Sequence, residues 1–171
     1  YIYDILSSKY IVKRTPHSYN TPLGISKFIN EENFDYTDFI IYEFGARRSN
    51  DIKELNTYYQ YDIAIVTEIG KMHIDTFGSF EAILKEKMSL VDLLEDNKIA
   101  ILNYENEYTR DFGNRCPAKV VYFSSQRRLE DGLFFEGEEI FLAKNGEAQP
   151  LLNVKTDMNL VGICNIENVM A

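Results

Sequence analysis

Apolar and polar positions along the 171-residue chain fall into two alternating rhythms. Short apolar runs read as strands: "YIVKRTP" (10–16), "DFIIYEFG" (38–45), "DIAIVTEIG" (62–70), "KIAILN" (98–103) and "AKVVYFS" (118–124). Between them, apolar residues recur every three or four positions, the repeat of a helix that buries one face. These helical stretches cover 21–32, 49–59, 79–96 and 105–113. The longest keeps Phe80, Ile83, Leu84, Leu90, Val91 and Leu94 on one side. Thr21 stands as an N-cap before Pro22, which suits the first helical position, and Gly113 closes the fourth helix. Apolar strands separated by helices predict an α/β domain: a mostly parallel sheet with helices on both faces.

The rhythm changes after residue 124. The stretch 132–154 holds short strands broken at Glu136-Gly137 and Asn145-Gly146. Asn-Gly is a strong hairpin signal, so this part predicts a small antiparallel β-sheet. A final helix is expected to begin near Asn165. The opening "YIYDILSSKY" is already helical in period, with Ile2, Ile5 and Leu6 on one face. The expected division is a parallel core over 1–125, the small sheet over 126–157 and the start of the last helix over 158–171. With no initiator Met and no helix stop in "NIENVMA", the chain is expected to be a piece of a longer protein.

At 45% hydrophobic and 26% charged, the chain has apolar surface enough for a core without staples. A net charge of −9 repels a phosphate backbone and argues against nucleic-acid partners. No apolar run has membrane-spanning length and no signal peptide is evident, so a cytoplasmic location without membrane insertion is expected. The two cysteines, Cys116 and Cys164, have neither CxxC spacing nor a nearby His pair and read as free thiols.

In a parallel sheet, ligands sit at the carboxyl ends of the strands. Glu43, Glu68 and His73 fall at or just beyond such ends. Glu43 follows Phe39, Ile40, Ile41 and Tyr42. A carboxylate there is either paired or metal-holding, or the strand has simply emerged into solvent. Imidazole is a common ligand and general base, yet a lone loop histidine such as His73 equally suits a plain surface role. His17 carries less weight than His73. Lys85 and Lys87 differ by two positions and point in different directions, and periodicity does not choose which one turns inward. Arg47-Arg48 suit phosphate binding or simple solubility. Neither GxxxxGK[ST] nor GxGxxG is present, and no serine nucleophile elbow. The residues alone thus lead to an α/β domain with a carboxylate and a histidine at its strand ends, a candidate metal or phosphate site whose chemistry they do not fix.

Four stretches, in order, resemble the central, ATP-binding domain of the Mur ligases, which extend the peptide of bacterial cell-wall precursors. "TPHSYNTPLGIS" (15–26) resembles the family's Thr-x-x-Ser-Phe/Tyr-Asn segment, and "YEFGARRSNDIKEL" (42–55) its E-M-G-A stretch. "VTEIGKMHIDTFGSFEAILKEK" (66–87) resembles its T-x-[IV]-G-x-x-H run that ends in lysine, and "GICNIENVMA" (162–171) its G-x-H-N helix start. The third stretch is the most specific. The resemblance implies an ATP-dependent carboxylate–amine ligase. The γ-phosphate of ATP passes to a substrate carboxylate, and an amine attacks the acyl phosphate to give an amide, ADP and phosphate. It implies Mg2+ held by Glu43, His73 and a carbamylated Lys87, these three being the catalytic residues. It also implies adenine contact by Asn165, and approach of Asn20 and Thr21 to the UDP-MurNAc-peptide substrate. The wording "SYNTPLG" and "EFGARR" is closest to the D-alanyl-D-alanine-adding branch.

Departures from the family pattern qualify what is expected. The family's phosphate-binding loop would lie just before Tyr1, and the flanking N- and C-terminal domains are absent, so this stretch alone is expected to be inactive. Glu68 stands where the family often has Asn, and Cys164 where it usually has His. Competing expectations are another ligase of the same core, adding diaminopimelate, lysine or another amino acid or extending folyl-polyglutamate, and a degenerate, non-catalytic binding domain.

Overall fold

The computed structural model describes residues 1–70, 74–158 and 162–171. Their contacts divide the chain into two compact units. Among the described residues, one holds Tyr1–Gln60 and 74–89; the other holds 61–70, 90–158 and 162–171.

The first unit begins with helix α1 (Ile2–Leu6) and strand β1 (Val12–Arg14), followed by helix α2 (Pro22–Glu31), strand β2 (Phe39–Ile41) and helix α3 (Asp51–Tyr58). Strands β1 and β2 pair in parallel, Val12 with Phe39 and Arg14 with Ile41. The Thr21 hydroxyl accepts the Gly24 N–H at 3.3 Å, with Pro22 next in the chain, so the predicted cap forms. Helix α2 buries Ile25 and Phe28, and α3 buries Ile52 and Leu55. Beyond the third apolar run, 62–70, come two helices: the short α4 (Ile74–Phe77), which the pattern did not separate, and the long α5 (Phe80–Asp92), whose residues up to Ser89 belong to this unit.

The second unit is built on a six-stranded sheet in the order β3-β4-β5-β6-β7-β8. Strands β3 (Ile63–Val66), β4 (Ile99–Asn103) and β5 (Lys119–Ser124) run parallel, as their unbroken apolar character predicts. Helix α6 (Glu107–Gly113) connects β4 to β5, capped by Asn106, whose side chain accepts the Tyr108 and Thr109 N–H groups. Strands β6 (Gly132–Glu136), β7 (Glu139–Lys144) and β8 (Glu147–Asn153) form the antiparallel meander. Its second turn places Asn145 at φ 53° and Gly146 at φ 81°, the positive values an Asn-Gly hairpin turn uses. The meander is continuous with the parallel strands, because β6 pairs in parallel with β5 through Phe123–Leu133 and Ser124–Phe134. Helices α7 (Val154–Asp157) and α8 (Ile163–Met170) end the chain. The first was not evident in the pattern; Asn153 caps it through the Lys155 and Thr156 N–H groups.

Side-chain alternation explains how this sheet is covered. On one face Phe123, Ile101, Leu133, Phe135 and Ile140 pack with Ile166 and Met170 of α8. On the other, Phe134 stacks on Phe141 at 5.2 Å between ring centroids, near Tyr104 and Tyr122. The Tyr122 hydroxyl there donates to the Arg110 carbonyl of α6 at 3.2 Å. Helices therefore lie on both faces of this sheet. Phe123 and Phe134 are fully buried, one on each side, and each such burial contributes about 1.5–3 kcal/mol.

Candidate functional site

Parallel pairing of β1 and β2 brings their carboxyl ends together. The ladder continues one step, as Thr15 N–H donates to the Ile41 carbonyl at 3.0 Å. The chain then rises from both strands into a cleft of about 190 Å³ lined by Arg14, Thr15, Pro16, His17, Ile41 and Glu43. Glu43 lies just beyond β2 with an exposed side chain. Its backbone N–H donates to the Thr15 hydroxyl at 3.2 Å, and its Oε1 accepts from Asn20 Nδ2 at 3.3 Å. Among the described residues, Oε2 has no hydrogen-bond partner. Asn20 is held in turn: its carbonyl accepts the Gly45 N–H at 2.8 Å. A Cβ on Gly45 would stand 2.7 Å from Asn20 Cγ, so only glycine lets the amide lie there.

Aromatic rings and three arginines, Arg14, Arg47 and Arg48, belong to this part of the chain. The Arg14 guanidinium lies 4.3 Å from the Tyr3 ring centroid, a cation–π contact. Burial pushes the Tyr42 phenol up, reinforced by neighbouring Tyr59, whose hydroxyl bonds Ser26 and the Pro22 carbonyl. Arg47 and Arg48 present exposed side chains, while their backbone N–H groups both donate to Asp51 Oδ2 at 2.8 Å. That segment is closed by its backbone, which the charge pattern did not foretell.

Of the residues singled out from sequence, the structure brings Asn20 and Glu43 together. Thr21 serves the start of α2 through its cap. On α5 Lys85 is exposed and Lys87 half-buried. Preceding it, Glu86 was not singled out and is 5% exposed. Its carboxylate accepts the Asn50 N–H at 2.6 Å and the Ile52 N–H at 2.7 Å, at the start of α3. The available signal was a charged residue three positions after Ile83, on the buried stripe of an amphipathic helix. His17, given less weight from sequence, lines the same cleft as Glu43. His73 lies outside the described residues.

The second unit carries Glu68, exposed just past β3, and Asn165, half-buried in the first turn of α8. Helix α8 is tied to the carboxyl end of β5 where Ser125 Oγ donates to Glu167 Oε1. Both cysteines are free, Cys164 exposed and Cys116 half-buried.

Among the described residues no group of three or more His, Cys, Asp or Glu side chains is arranged to hold a metal ion. Among the described residues, the carboxylate that lines the cleft of the first unit is Glu43. Glu43, with one oxygen held by Asn20 and the other unengaged, fits a hard cation such as Mg2+, which takes oxygen ligands and retains water. Lysine's ammonium is no ligand, so Lys87 fits only as a carbamate.

Comparison with known proteins gives one consistent family. The sequence model described as the Mur ligase middle domain matches residues 1–171. A UDP-N-acetylmuramoylalanine–D-glutamate ligase of Desulfitobacterium hafniense is 27% identical over 149 residues, 87% of this chain and 32% of that protein. The chain thus spans about a third of the length of the curated relative it matches. Among solved structures, MurF from Acinetobacter baumannii is similar at a TM-score of 0.78 and 17% identity, over 99% of this chain and 37% of that one. MurF from Thermotoga maritima in complex with ADP gives 0.73 at 20% identity, over 99% and 39%. These two share the fold.

Proposed function

The chain belongs to the Mur ligase family through its middle domain, and on that footing we propose that the longer protein is an ATP-dependent carboxylate–amine ligase of peptidoglycan precursor synthesis. The observation that carries this reading is the Glu43 carboxylate, oriented by Asn20 at the carboxyl ends of β1 and β2 in a chain matched along its length by the family. In the reaction a substrate carboxylate takes the γ-phosphoryl group of ATP and releases ADP. An amine then attacks the acyl phosphate, forms the amide and releases phosphate. Mg2+ would supply charge neutralisation for the phosphoryl group in transfer. Glu43, with His73 and carbamylated Lys87, would hold it. Asn20 keeps the Glu43 carboxylate in one orientation, and Thr21 starts α2 beside it. Asn165 is assigned to the adenine, and Asn20 and Thr21 also to the UDP-MurNAc-peptide side.

The amine we assign is D-alanyl-D-alanine, from the wording around "SYNTPLG" and "EFGARR". A second reading, addition of D-glutamate, is favoured by the curated relative, whose name states that activity. The 171-residue stretch alone is proposed to be inactive, since the phosphate cradle and flanking domains assigned to this family are not in it.

The test is an ADP- and phosphate-release assay on the whole protein with ATP and Mg2+. Acceptors are UDP-MurNAc-tripeptide, UDP-MurNAc-L-alanyl-D-glutamate and UDP-MurNAc-L-alanine, and amines are D-alanyl-D-alanine, D-glutamate and diaminopimelate. Release that needs both acceptor and dipeptide supports the first amine, and release with D-glutamate the second. No amine-dependent ADP formation with any pair defeats the ligase reading. His73→Ala and Lys87→Ala are each expected to lower turnover at least about tenfold, the low end for loss of a metal-organising group.

A further inference from the structure

Helix α3 begins without a local cap. Its N-cap residue, Asn50, sits in the left-handed region at φ 76° and makes no side-chain cap bond. Orphan N–H groups at a helix start must find acceptors elsewhere. Asp51, the natural local candidate, is turned back and occupied by the Arg47 and Arg48 N–H groups. The acceptors come from α5: Glu86 Oε2 takes the Asn50 N–H at 2.6 Å and Oε1 the Ile52 N–H at 2.7 Å. Both oxygens of a carboxylate 5% exposed are therefore spent on the backbone of one segment. Charge-assisted bonds of this kind are short, directional and costly to lose when buried.

That segment starts at Glu43. Its first part is fixed by the Glu43 N–H on Thr15 Oγ1 and by the close approach of Gly45 to Asn20. Its last part is fixed by Glu86. The residue after Glu86 is Lys87. One covalent and hydrogen-bonded path thus runs from Glu43 through the 44–49 segment to Asn50, across to Glu86, and one residue along α5 to Lys87. A helix held at its flank by two short bonds cannot slide or rotate without dragging the start of α3 with it.

We propose that Glu86 is the positioning residue that fixes Lys87 relative to the Glu43 segment, and thereby sets divalent-cation affinity at the nucleotide site. This rests on the ligase reading above for the roles of Glu43 and Lys87. The capping geometry itself does not depend on that reading.

The experiment measures Mn2+ binding by electron paramagnetic resonance in the whole protein with ADP, for wild type, Glu86→Ala, Glu86→Gln and Asn106→Ala. Thermal unfolding of each confirms that binding is read on folded protein. Loss of an outer partner of a metal site weakens affinity about 10- to 100-fold, so Glu86→Ala is expected to raise the Mn2+ dissociation constant about tenfold or more. Glu86→Gln keeps the shape and one acceptor oxygen and should fold where alanine does not; it is expected to weaken binding less than alanine but measurably. Asn106→Ala removes a helix cap on α6 and is expected to lower the unfolding temperature while leaving Mn2+ affinity unchanged. If wild type binds Mn2+ and folded Glu86→Gln and Glu86→Ala bind it equally well, Glu86 is only a cap and the proposal fails. Equal weakening by Asn106→Ala overturns it too, since any loss of stability would then suffice. Absence of Mn2+ binding in wild type sinks the ligase reading, and this proposal with it.

Discussion

Replacing Gly113 by alanine offers a test of the packing in which general propensity and specific geometry predict opposite signs. Gly113 is the last residue of α6, and alanine is favoured over glycine in a helix by about 1 kcal/mol. On propensity alone the substitution stabilises. The structure says otherwise: a Cβ there would meet Tyr122 Oη at 2.0 Å, Tyr122 Cζ at 2.8 Å and Leu102 Cδ1 at 3.2 Å. Tyr122 is not free to swing aside. Its hydroxyl bonds the Arg110 carbonyl at 3.2 Å, and its ring meets Tyr104 edge-on at 5.2 Å. Displacing it loses a hydrogen bond of about 1 kcal/mol and part of an aromatic pair of about 0.5–1.5 kcal/mol. Residual overpacking adds about 1 kcal/mol, the low end of its range. Against the propensity gain, the net expectation is destabilisation of about 2 kcal/mol, or roughly 4–8 °C in Tm for a chain of this size. The assay is urea and thermal unfolding followed by circular dichroism, with Tyr122→Phe as the second arm of a double-mutant cycle. Removing Oη removes the 2.0 Å contact, so Gly113→Ala should cost about half as much in that background, a coupling of about 1 kcal/mol. A neutral or stabilising Gly113→Ala, or the same cost in both backgrounds, would refute the reasoning.

Three further outcomes follow from the same contacts. On the ligase reading proposed above, Asn20→Ala in the whole protein is expected to raise half-saturating Mg2+ about tenfold, and Gly45→Ala should do the same by displacing that amide; unchanged Mg2+ dependence in both would show that Asn20 does not orient Glu43 for a cation. Burial pushes the Cys116 thiol up while Cys164 is exposed, so a thiol reagent at pH about 8 should react in a fast phase that Cys164→Ser removes and a slow phase that it leaves. Burial likewise raises the Tyr61 phenol, which donates to the Leu90 carbonyl at 2.7 Å. The unfolded chain ionises this group near pH about 10 while the folded chain keeps its proton. Its stabilisation is thus present below that pH and lost as pH rises above it, and Tyr61→Phe should flatten the alkaline decline in stability seen by urea unfolding.

Much of the fold was legible because the signals that make it are local. Apolar runs placed β3, β4 and β5 and their parallel pairing, Thr21-Pro22 placed the start of α2, and Asn145-Gly146 placed a hairpin turn. The strand lengths were less legible. The run 38–45 yields only Phe39–Ile41, since its partner β1 supplies three residues to the ladder. The short α4 and α7 escaped notice because four residues are too few to show a helical period. The meander's join to the parallel strands rests on two register pairs between β5 and β6, which no local pattern announces.

The site divides along the same line. Glu43 could be singled out because a carboxylate after an apolar strand is conspicuous, and Asn20 because the segment around it resembles a known family. What holds them could not be found the same way. The bond from Asn20 to Glu43 spans 23 positions, and those from Glu86 to α3 span 34 and 36. Sequence shows the oddity in each case: a glycine at the end of the apolar run 38–45 and a glutamate on the buried stripe of α5. The partner that explains the oddity exists only once the chain is folded. Residues that do chemistry carry their reactivity in their own side chains and can be suspected one at a time. Residues that position them act through backbone N–H groups, which every amino acid but proline possesses. A polar residue at an apolar position of a helix is therefore the one trace such a positioning group leaves in a sequence, and Glu86 leaves it one residue before Lys87.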